Sequence, residues 1–305
     1  MQSPLLSIIV CTYNREKYIG ECLTRLAEQD IDPTKYEVLV INNKSTDNTQ
    51  EIIKEIIPRH PKINFHYFIE ENQGHTYARN RGIKESKGTI LSFLDDDAFV
   101  QNNYCKEIID FFNANQNVSA IGGRIIPKYE NATPSWMSKY LLPLVAAIDL
   151  GKHTKPFKGN KFPIGANMAF RRSMFEKYGL FDVNLGRRGS ELEGGDEKEM
   201  FIRLRKGGEI ISYVPEVAVE HIIPGSRIEK SYIMGLAKGV GTSERKRLNK
   251  EGLNGMVSKV ISEIIKSIAT LILSLKYALS GQFPKAKMLI LFRYWVVSSL
   301  LKREP

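Results

Sequence analysis

Apolar residues recur along the first 126 positions in two alternating rhythms. Short, near-continuous apolar runs occupy residues 7–10 (SIIV), 36–42 (YEVLVIN), 63–69 (INFHYFI), 89–94 (TILSFL) and 118–126 (VSAIGGRII). Their length and β-branched content predict buried strands. Between them the chain is polar, with an apolar residue every three or four positions. Ile19, Leu23 and Leu26 mark a helix over about 16–29, and helices are also predicted over 47–57, 75–86 and 104–115. Asp47 sits at the start of the second of these, the end where a helix dipole favours negative charge. Alternation of strands and helices, with strands hydrophobic on both faces, predicts an α/β fold: a mostly parallel sheet flanked by helices. Ligands of such sheets bind beyond the carboxyl ends of the strands. Three polar loops fall there: residues 12–15, 42–47 and 95–97.

The pattern weakens from Pro127 to about Leu150, where Pro127, Pro134, Trp136 and Pro143 suggest a loop or short helices crossing the sheet. Polar motifs return over 165–211. The expected organisation is one domain over 1–225, in two halves (1–125 and 126–225), followed by a helical extension over 226–305.

That extension has its own pattern. Lys259, Glu263, Lys266, Thr270 and Ser274 step by three or four and form one narrow polar stripe on an otherwise apolar helix. A second apolar segment follows Pro284 and contains Arg293, Tyr294 and Trp295. Neither segment supplies the roughly 20 uninterrupted apolar residues of a spanning helix. Wide apolar faces flanked by basic and aromatic residues suit a helix lying in a membrane interface. A helical pair docked on the domain or on another subunit is the alternative.

Charge adds to this picture by its position. The chain has 305 residues and a net charge of +10, yet residues 1–225 carry 29 basic and 29 acidic side chains, against 15 and 5 in residues 226–305. A neutral body with a basic tail predicts attraction to an anionic membrane surface rather than to nucleic acid. The three cysteines, without CxxC spacing, argue against a disulfide scaffold or a zinc site and fit a reducing compartment. No signal peptide is read at the N-terminus. The expected location is cytoplasmic, peripheral on the inner face of the cell membrane.

The strand over 89–94 runs directly into Asp95, Asp96 and Asp97. Clustered carboxylates are tolerable where a cation neutralises them, and oxygen ligands suit Mg²⁺ or Mn²⁺ shared with substrate phosphates. A solvated acidic turn or a helix cap is the other reading. In an extended segment Asp95 and Asp97 share a side and Asp96 faces the other way. No GxxxxGK[ST] or GxGxxG is present, so a diphosphate would be held by metal and basic groups, with Arg15 and Arg79 as candidates.

Four stretches then follow one another in order: SIIVCTYNREKYIGECLTRLAEQ, YEVLVINNKSTDNTQEII, NQGHTYARNRGIKESKGTILSFLDDDAFV and GANMAFRRSMFEKYGLFD. Together they resemble the family 2 glycosyltransferases of the bacterial cell-surface polysaccharide type, inverting enzymes of the GT-A fold. The resemblance runs from about Ser7 to at least Arg227, and implies a nucleotide-sugar half over 1–125 and an acceptor half over 126–225. It implies that Thr12, Tyr13, Asn14 and Arg15 cradle the nucleotide base, that Asn43 faces it, and that Arg79 lies near the nucleotide. Asn42 departs from the usual Asp. In the DxD-type signature, Asp97 would ligate the metal and Asp96 would lie toward the ribose, with Asp95 supporting the nucleotide sugar.

An inverting transfer also needs a carboxylate to take the acceptor's proton. GGDEKEMFIRLRKGG resembles the family's G-E-D-x-[DE]-[LF]-x-x-R-L segment with the acidic pair swapped. Register places Glu197 at the base position, and the swap leaves Asp196 open. His221 is implied as a further metal ligand, and Arg227 as a helper for the leaving diphosphate. The function implied is metal-dependent transfer from a nucleoside-diphosphate sugar, UDP-linked, to a glycan or lipid-linked acceptor in surface polysaccharide synthesis. Two alternatives stand beside it. One is a catalytically degenerate glycan-binding or scaffold domain. The other is a sugar nucleotidyltransferase, against which the lack of glycine in CTYNREKY argues.

Overall fold

A computed structural model describes residues 3–186 and 195–301, excepting the side chains of residues 243, 244 and 246–259. Lys259 of the polar stripe and Gly194 of the acidic motif therefore lie outside the described side chains. The chain divides into two compact units, Met1–Lys128 with Ala146–Ile222, and Tyr129–Val145 with Ile223–Pro305.

The first unit is built on nine strands among the described residues. They are β1 (Leu6–Thr12), β2 (Tyr36–Asn42), β3 (Asn64–Ile69), β4 (Ile90–Asp95), β5 (Ala98–Val100), β6 (Val118–Tyr129), β7 (Lys155–Pro156), β8 (Asn167–Arg171) and β9 (Ile210–Ile223). Their order is β3-β2-β1-β4-β8-β6-β9-β5, with β7 beside β9. β3, β2, β1 and β4 are parallel, as the alternation in the first half predicts. Beyond β4 the sheet changes direction: β8 is antiparallel to both β4 and β6, and β5 to β9. Residues 118–126 do form a strand, but β6 belongs to this antiparallel part.

The helices of this unit are α1 (Ile19–Ala27), α2 (Thr49–Arg59), α3 (His75–Glu85), α4 (Tyr104–Ala114), α5 (Ser173–Tyr178) and α6 (Asp196–Lys206). Every residue of β1 and β2 is buried, because helices cover both faces of the sheet. Ile8 and Val10 pack with Ile19, Leu23, Ile53 and Ile108 of α1, α2 and α4. Ile9 and Cys11 pack on the other face with Ala78, Ile83, Phe175, Phe201 and Leu204 of α3, α5 and α6. Each such aliphatic side chain removed from water contributes about 1.5–3 kcal/mol. The two faces follow from the two-residue period of a strand.

α3 buries more polar side chains than its neighbours: Thr76, Arg79 and Asn80. They lie one turn apart and tie α3 to the segment before α6. Thr76 Oγ1 donates to the Leu185 carbonyl at 2.7 Å, Asn80 Nδ2 donates to that of Phe181 at 2.9 Å, and Phe181 N–H returns a bond to Asn80 Oδ1 at 3.1 Å. Gly82 lets this polar helix lie close to β1. A Cβ there would come within 2.3 Å of Ile9 Cγ2, and Ile9 is β-branched and fully buried. Gly82→Ala is expected to destabilise the protein by about 1–3 kcal/mol despite the better helix propensity of alanine, as read by denaturant unfolding.

In the second unit α7 (Lys230–Leu279) and α8 (Phe283–Leu301) form an antiparallel hairpin. The helices approach closely at Gly241, where a Cβ would lie 2.5 Å from the Val296 carbonyl oxygen. Next to it the Thr242 and Ser299 hydroxyls are 3.0 Å apart. Among the described residues, no helix is long and apolar enough to cross a membrane.

Candidate active site

The carboxyl ends of β1, β2 and β4 hold three loops, and the first two are laced together. Asn14 adopts a left-handed backbone (φ 53°), a conformation asparagine tolerates better than most residues. Its Oδ1 accepts from Thr46 N–H at 2.8 Å, while its own N–H donates to Ser45 Oγ at 3.0 Å. Arg15 N–H donates to Thr49 Oγ1 at 2.7 Å, and Glu16 N–H to Asp47 Oδ2 at 3.1 Å. Thr12 is buried at the end of β1 and Tyr13 is exposed. Asn42 is buried, donating to Tyr67 Oη at 2.9 Å and accepting from Ser45 N–H at 2.9 Å.

Asn43, expected to face the base, has its amide engaged by backbone. Its Nδ2 donates to the carbonyls of Glu70 (3.1 Å) and Asn72 (2.7 Å), and its Oδ1 accepts from Gly74 N–H at 2.7 Å. It holds the 70–74 loop against the end of β2.

Asp95 closes β4, and Asp96 and Asp97 form the turn between β4 and β5 rather than continuing an extended segment. Asp96 and Asp97 face different partners. Asp96 points to Arg15, whose Nε lies 3.1 Å from Asp96 Oδ1, with Arg15 Nη2 3.8 Å from Asp97 Oδ2. Burial pushes the Asp96 carboxyl up to about 7, against the opposing charge of Arg15 and with the help of Asp97. Asp97 turns the other way, with its Oδ1 3.0 Å from Nε2 of the fully buried His221. The antiparallel pairing of β5 with β9, which sets Ala98 opposite His221, brings these distant residues together.

Asp95, Asp97 and His221 each offer a ligand atom, all within 4.8 Å of one another. Two carboxylate oxygens and one imidazole nitrogen in a mostly buried pocket fit a small divalent cation. Asp97 and His221, expected as metal ligands, stand together here, and Asp95 joins them.

A second cluster forms where α3 meets α6. Arg79, expected near the nucleotide, is 3% exposed; its Nη1 lies 2.5 Å from Asp196 Oδ2 and 3.6 Å from Glu197 Oε2. Burial works against its charge, but Asp196, Glu197 and Asp95 outweigh it. Burial alone would also raise Asp196, yet the Arg79 guanidinium holds that carboxyl well below the usual carboxylate range. Glu197 behaves oppositely. Its side chain is 27% exposed, and desolvation together with the neighbouring Asp196 charge pushes its carboxyl up to about 7. The acidic pair is thus divided into a locked, ionised Asp196 and a partly exposed Glu197 poised to gain or lose a proton near neutrality.

Gly165, within the GANMAF stretch, received no role from sequence reasoning. A Cβ there would lie 2.2 Å from Arg79 Nη2, so the glycine makes room for the guanidinium. Gly165→Ala is expected to displace Arg79, lower the transfer rate by roughly 10-fold or more and reduce stability by about 1–3 kcal/mol. Kinetics and thermal unfolding on the same preparation would check both. Asn167 was also unassigned. It is buried, accepts from Tyr104 Oη at 3.0 Å and donates to the carbonyls of Arg124 (3.1 Å) and Val217 (2.9 Å), joining β8, β6 and β9. A polar residue opening an otherwise apolar strand was its only sequence signal. Arg227 belongs to a short 3₁₀ turn, Gly225–Ile228, in the second unit.

The model of the family described as "Glycosyl transferase family 2" matches residues 7–179, more than half of the chain. The glucosyl-dolichyl phosphate glucuronosyltransferase of Haloferax volcanii is 25% identical over 246 residues, covering 79% of this chain and 76% of that protein. Among solved structures, the mannosyltransferase PcManGT from Pyrobaculum calidifontis, in complex with GDP-Man and Mn²⁺, matches with a TM-score of 0.66 and 18% identity. The match covers 98% of this chain and 86% of that one. S. aureus TarS 1-349 in complex with UDP-GlcNAc matches with a TM-score of 0.55 and 20% identity, over 77% of this chain and 64% of that one. At such identities these structures establish the shared fold, and the family match establishes the kind of enzyme. The chain belongs to glycosyl transferase family 2 and is a glycosyltransferase of the GT-A fold.

Proposed function

We propose that the chain is a metal-dependent, inverting glycosyltransferase that moves a sugar from a UDP-linked donor to a lipid-linked or glycan acceptor. The observation that carries this reading is the convergence of Asp95, Asp97 and His221 at the carboxyl end of β4. Its relatives support the substrate classes: the Haloferax enzyme is a glucosyl-dolichyl phosphate glucuronosyltransferase, and the two structures are complexes with UDP-GlcNAc and GDP-Man.

A divalent cation, Mg²⁺ or Mn²⁺, held by Asp95, Asp97 and His221 would supply positive charge for the departing diphosphate. The chain's own groups do the rest. Arg15 presents its guanidinium beside Asp96 and Asp97 at the mouth of the β1 loop, and the exposed Tyr13 offers a ring to the base. Glu197 takes the acceptor hydroxyl's proton as that oxygen attacks the anomeric carbon, so one displacement inverts the configuration. Asp196 does not serve as the base, because its pairing with Arg79 lowers its affinity for a proton and holds it buried. It positions α6 instead. The basic second unit brings the enzyme to the anionic cytoplasmic face of the membrane, where a lipid-linked acceptor is presented.

The test is an assay over UDP- and GDP-sugars with Mn²⁺, with Mg²⁺ and with a chelator. The expected result is turnover of a UDP-sugar only with metal, releasing UDP and giving a product of opposite anomeric configuration. Undiminished turnover in chelator would overturn the metal assignment, and a preference for GDP-sugars would overturn the donor. Release of pyrophosphate would point to a nucleotidyltransferase.

A further inference from the structure

The outer part of the α7–α8 hairpin is arranged inside out. Glu263, Lys266, Thr270 and Ser274 share one face of α7, as their spacing predicts, and that face turns toward α8. Arg293 Nη1 lies 2.9 Å from Glu263 Oε2, Lys266 Nζ lies 2.7 Å from Glu263 Oε1, and Arg293 Nε donates to Thr270 Oγ1 at 3.4 Å. Glu263 is only 8% exposed and Ser274 only 4%. The polar stripe is the seam of the hairpin.

The opposite face of α7 is apolar and bare. Ile264, Ile265, Ile268, Leu271, Ile272 and Leu275 are each 53–63% exposed. At the turn, Leu279 and Phe283 reach 81% and 66%. These residues present on the order of 800 Å² of contiguous apolar surface, against roughly 300–600 Å² for the largest patch of a typical soluble monomer. A groove of about 480 Å³ continues this surface between the two helices, with Leu271, Ile290, Tyr294, Val297 and Leu301 among its walls.

Charge selects the occupant. Over residues 260–301, Lys266 and Arg293 pair with Glu263, and Lys276, Lys285 and Lys287 are left as surplus positive charge with no other acidic residue present. A second copy of the chain would bring the same positive charge against this surface. Anionic lipid headgroups complement it, and each lysine or arginine near such a surface contributes about 1 kcal/mol. An apolar exterior over a seam in which Glu263, Lys266, Thr270 and Arg293 pair with one another is also an arrangement that hydrocarbon favours, because polar side chains there must find partners within the protein.

We propose that the hairpin formed by residues 260–301 inserts the apolar exterior of α7 among the acyl chains of an anionic bilayer, lying in the interface without crossing it. The inference rests on the membrane-surface reading of the second unit and adds the element that enters the lipid. It also gives the exposed turn at Leu279–Phe283 a role as the edge that leads into the membrane.

The experiment is co-sedimentation of the full-length protein with phosphatidylcholine vesicles, with and without phosphatidylglycerol, alongside the triple variant Ile268→Gln, Ile272→Gln, Leu275→Gln. The substitutions keep every charge and lie on an exposed face, so the helix content seen by circular dichroism should be unchanged. Wild type is expected to bind the phosphatidylglycerol vesicles, and the variant to bind them at least about 10-fold more weakly. The variant's transfer to a water-soluble acceptor analogue is expected to stay at the wild-type level. Equal vesicle binding by variant and wild type would overturn insertion while leaving charge-driven membrane association standing. A wild type that ignores vesicles but sediments as a dimer, which the variant dissociates, would show that a second copy covers this face and would remove the membrane reading as well.

Discussion

Replacing Asp97 by asparagine is expected to lower the transfer rate by about 10³-fold while leaving the fold intact. Asp97 is 2% exposed and lies beside Asp95, at the end of β4, and Asp96, its neighbour in the turn. Asparagine keeps the volume and a hydrogen-bonding oxygen for His221, and removes only the charge. Unfolding stability should therefore change by no more than about 1 kcal/mol, whereas the cation loses one of its two anionic ligands. The variant should need far more Mn²⁺ or Mg²⁺ for any residual turnover. His221→Ala should shift the metal requirement in the same direction by a smaller factor, because a neutral ligand is lost. Wild-type turnover of Asp97→Asn in chelator would remove this turn from the mechanism.

The second large effect concerns proton transfer. Glu197→Gln is expected to reduce kcat by about 10²–10⁴-fold, the usual contribution of a positioned general base. The wild-type pH profile follows from the same group. A carboxyl raised to about 7 is protonated, and unable to accept a proton, below that pH; it is ionised above it. At saturating metal, kcat/KM should rise with pH through about 7 and then level. The residual activity of Glu197→Gln should lack that limb. Asp196→Asn separates the two acids differently. It leaves the buried Arg79 guanidinium without its 2.5 Å partner, so its main expected effect is a loss of about 3–5 kcal/mol of stability. If Asp196→Asn removed the pH limb while Glu197→Gln kept it, the two roles would have to be exchanged.

These expectations show which parts of the molecule the sequence states openly. β1, β2 and β4 are readable because each is largely apolar on both faces, and only a strand covered on both sides needs that; β3, at the sheet edge and only partly buried, is readable from its aromatic and β-branched content. The antiparallel strands are harder. β8 is five residues long, opens with a buried asparagine and follows the irregular segment after β6, so local pattern alone gives it little weight. The meeting of Asp97 and His221 is a long-range consequence of β5 pairing with β9; family register anticipates it and periodicity does not.

Three further features lie beyond pattern reading for a physical reason. Spacing shows that Glu263, Lys266, Thr270 and Ser274 share a helix face, but not that this face points at Arg293 instead of water. Arg79 and Asp196 are 117 positions apart, and nothing local to either announces a buried pair. Gly165 matters through the volume it leaves for Arg79, and an absent side chain has no signature of its own. Asn43 makes the same point from the other side. Its position in the β2 loop is as expected, yet backbone groups of residues 70–74 engage its amide.

The proposed site needs cation and nucleotide together. Calorimetric titration of UDP into the wild-type chain, with Mn²⁺ and then with chelator, tests this most directly. One UDP per chain is predicted to bind when Mn²⁺ is present, with the affinity falling by at least about 10-fold in chelator as the positive charge between Asp95, Asp97 and the diphosphate is lost. Equal affinity with and without metal, or no binding under either condition, would contradict the proposal that Asp95, Asp97 and His221 hold the ion that binds the nucleotide.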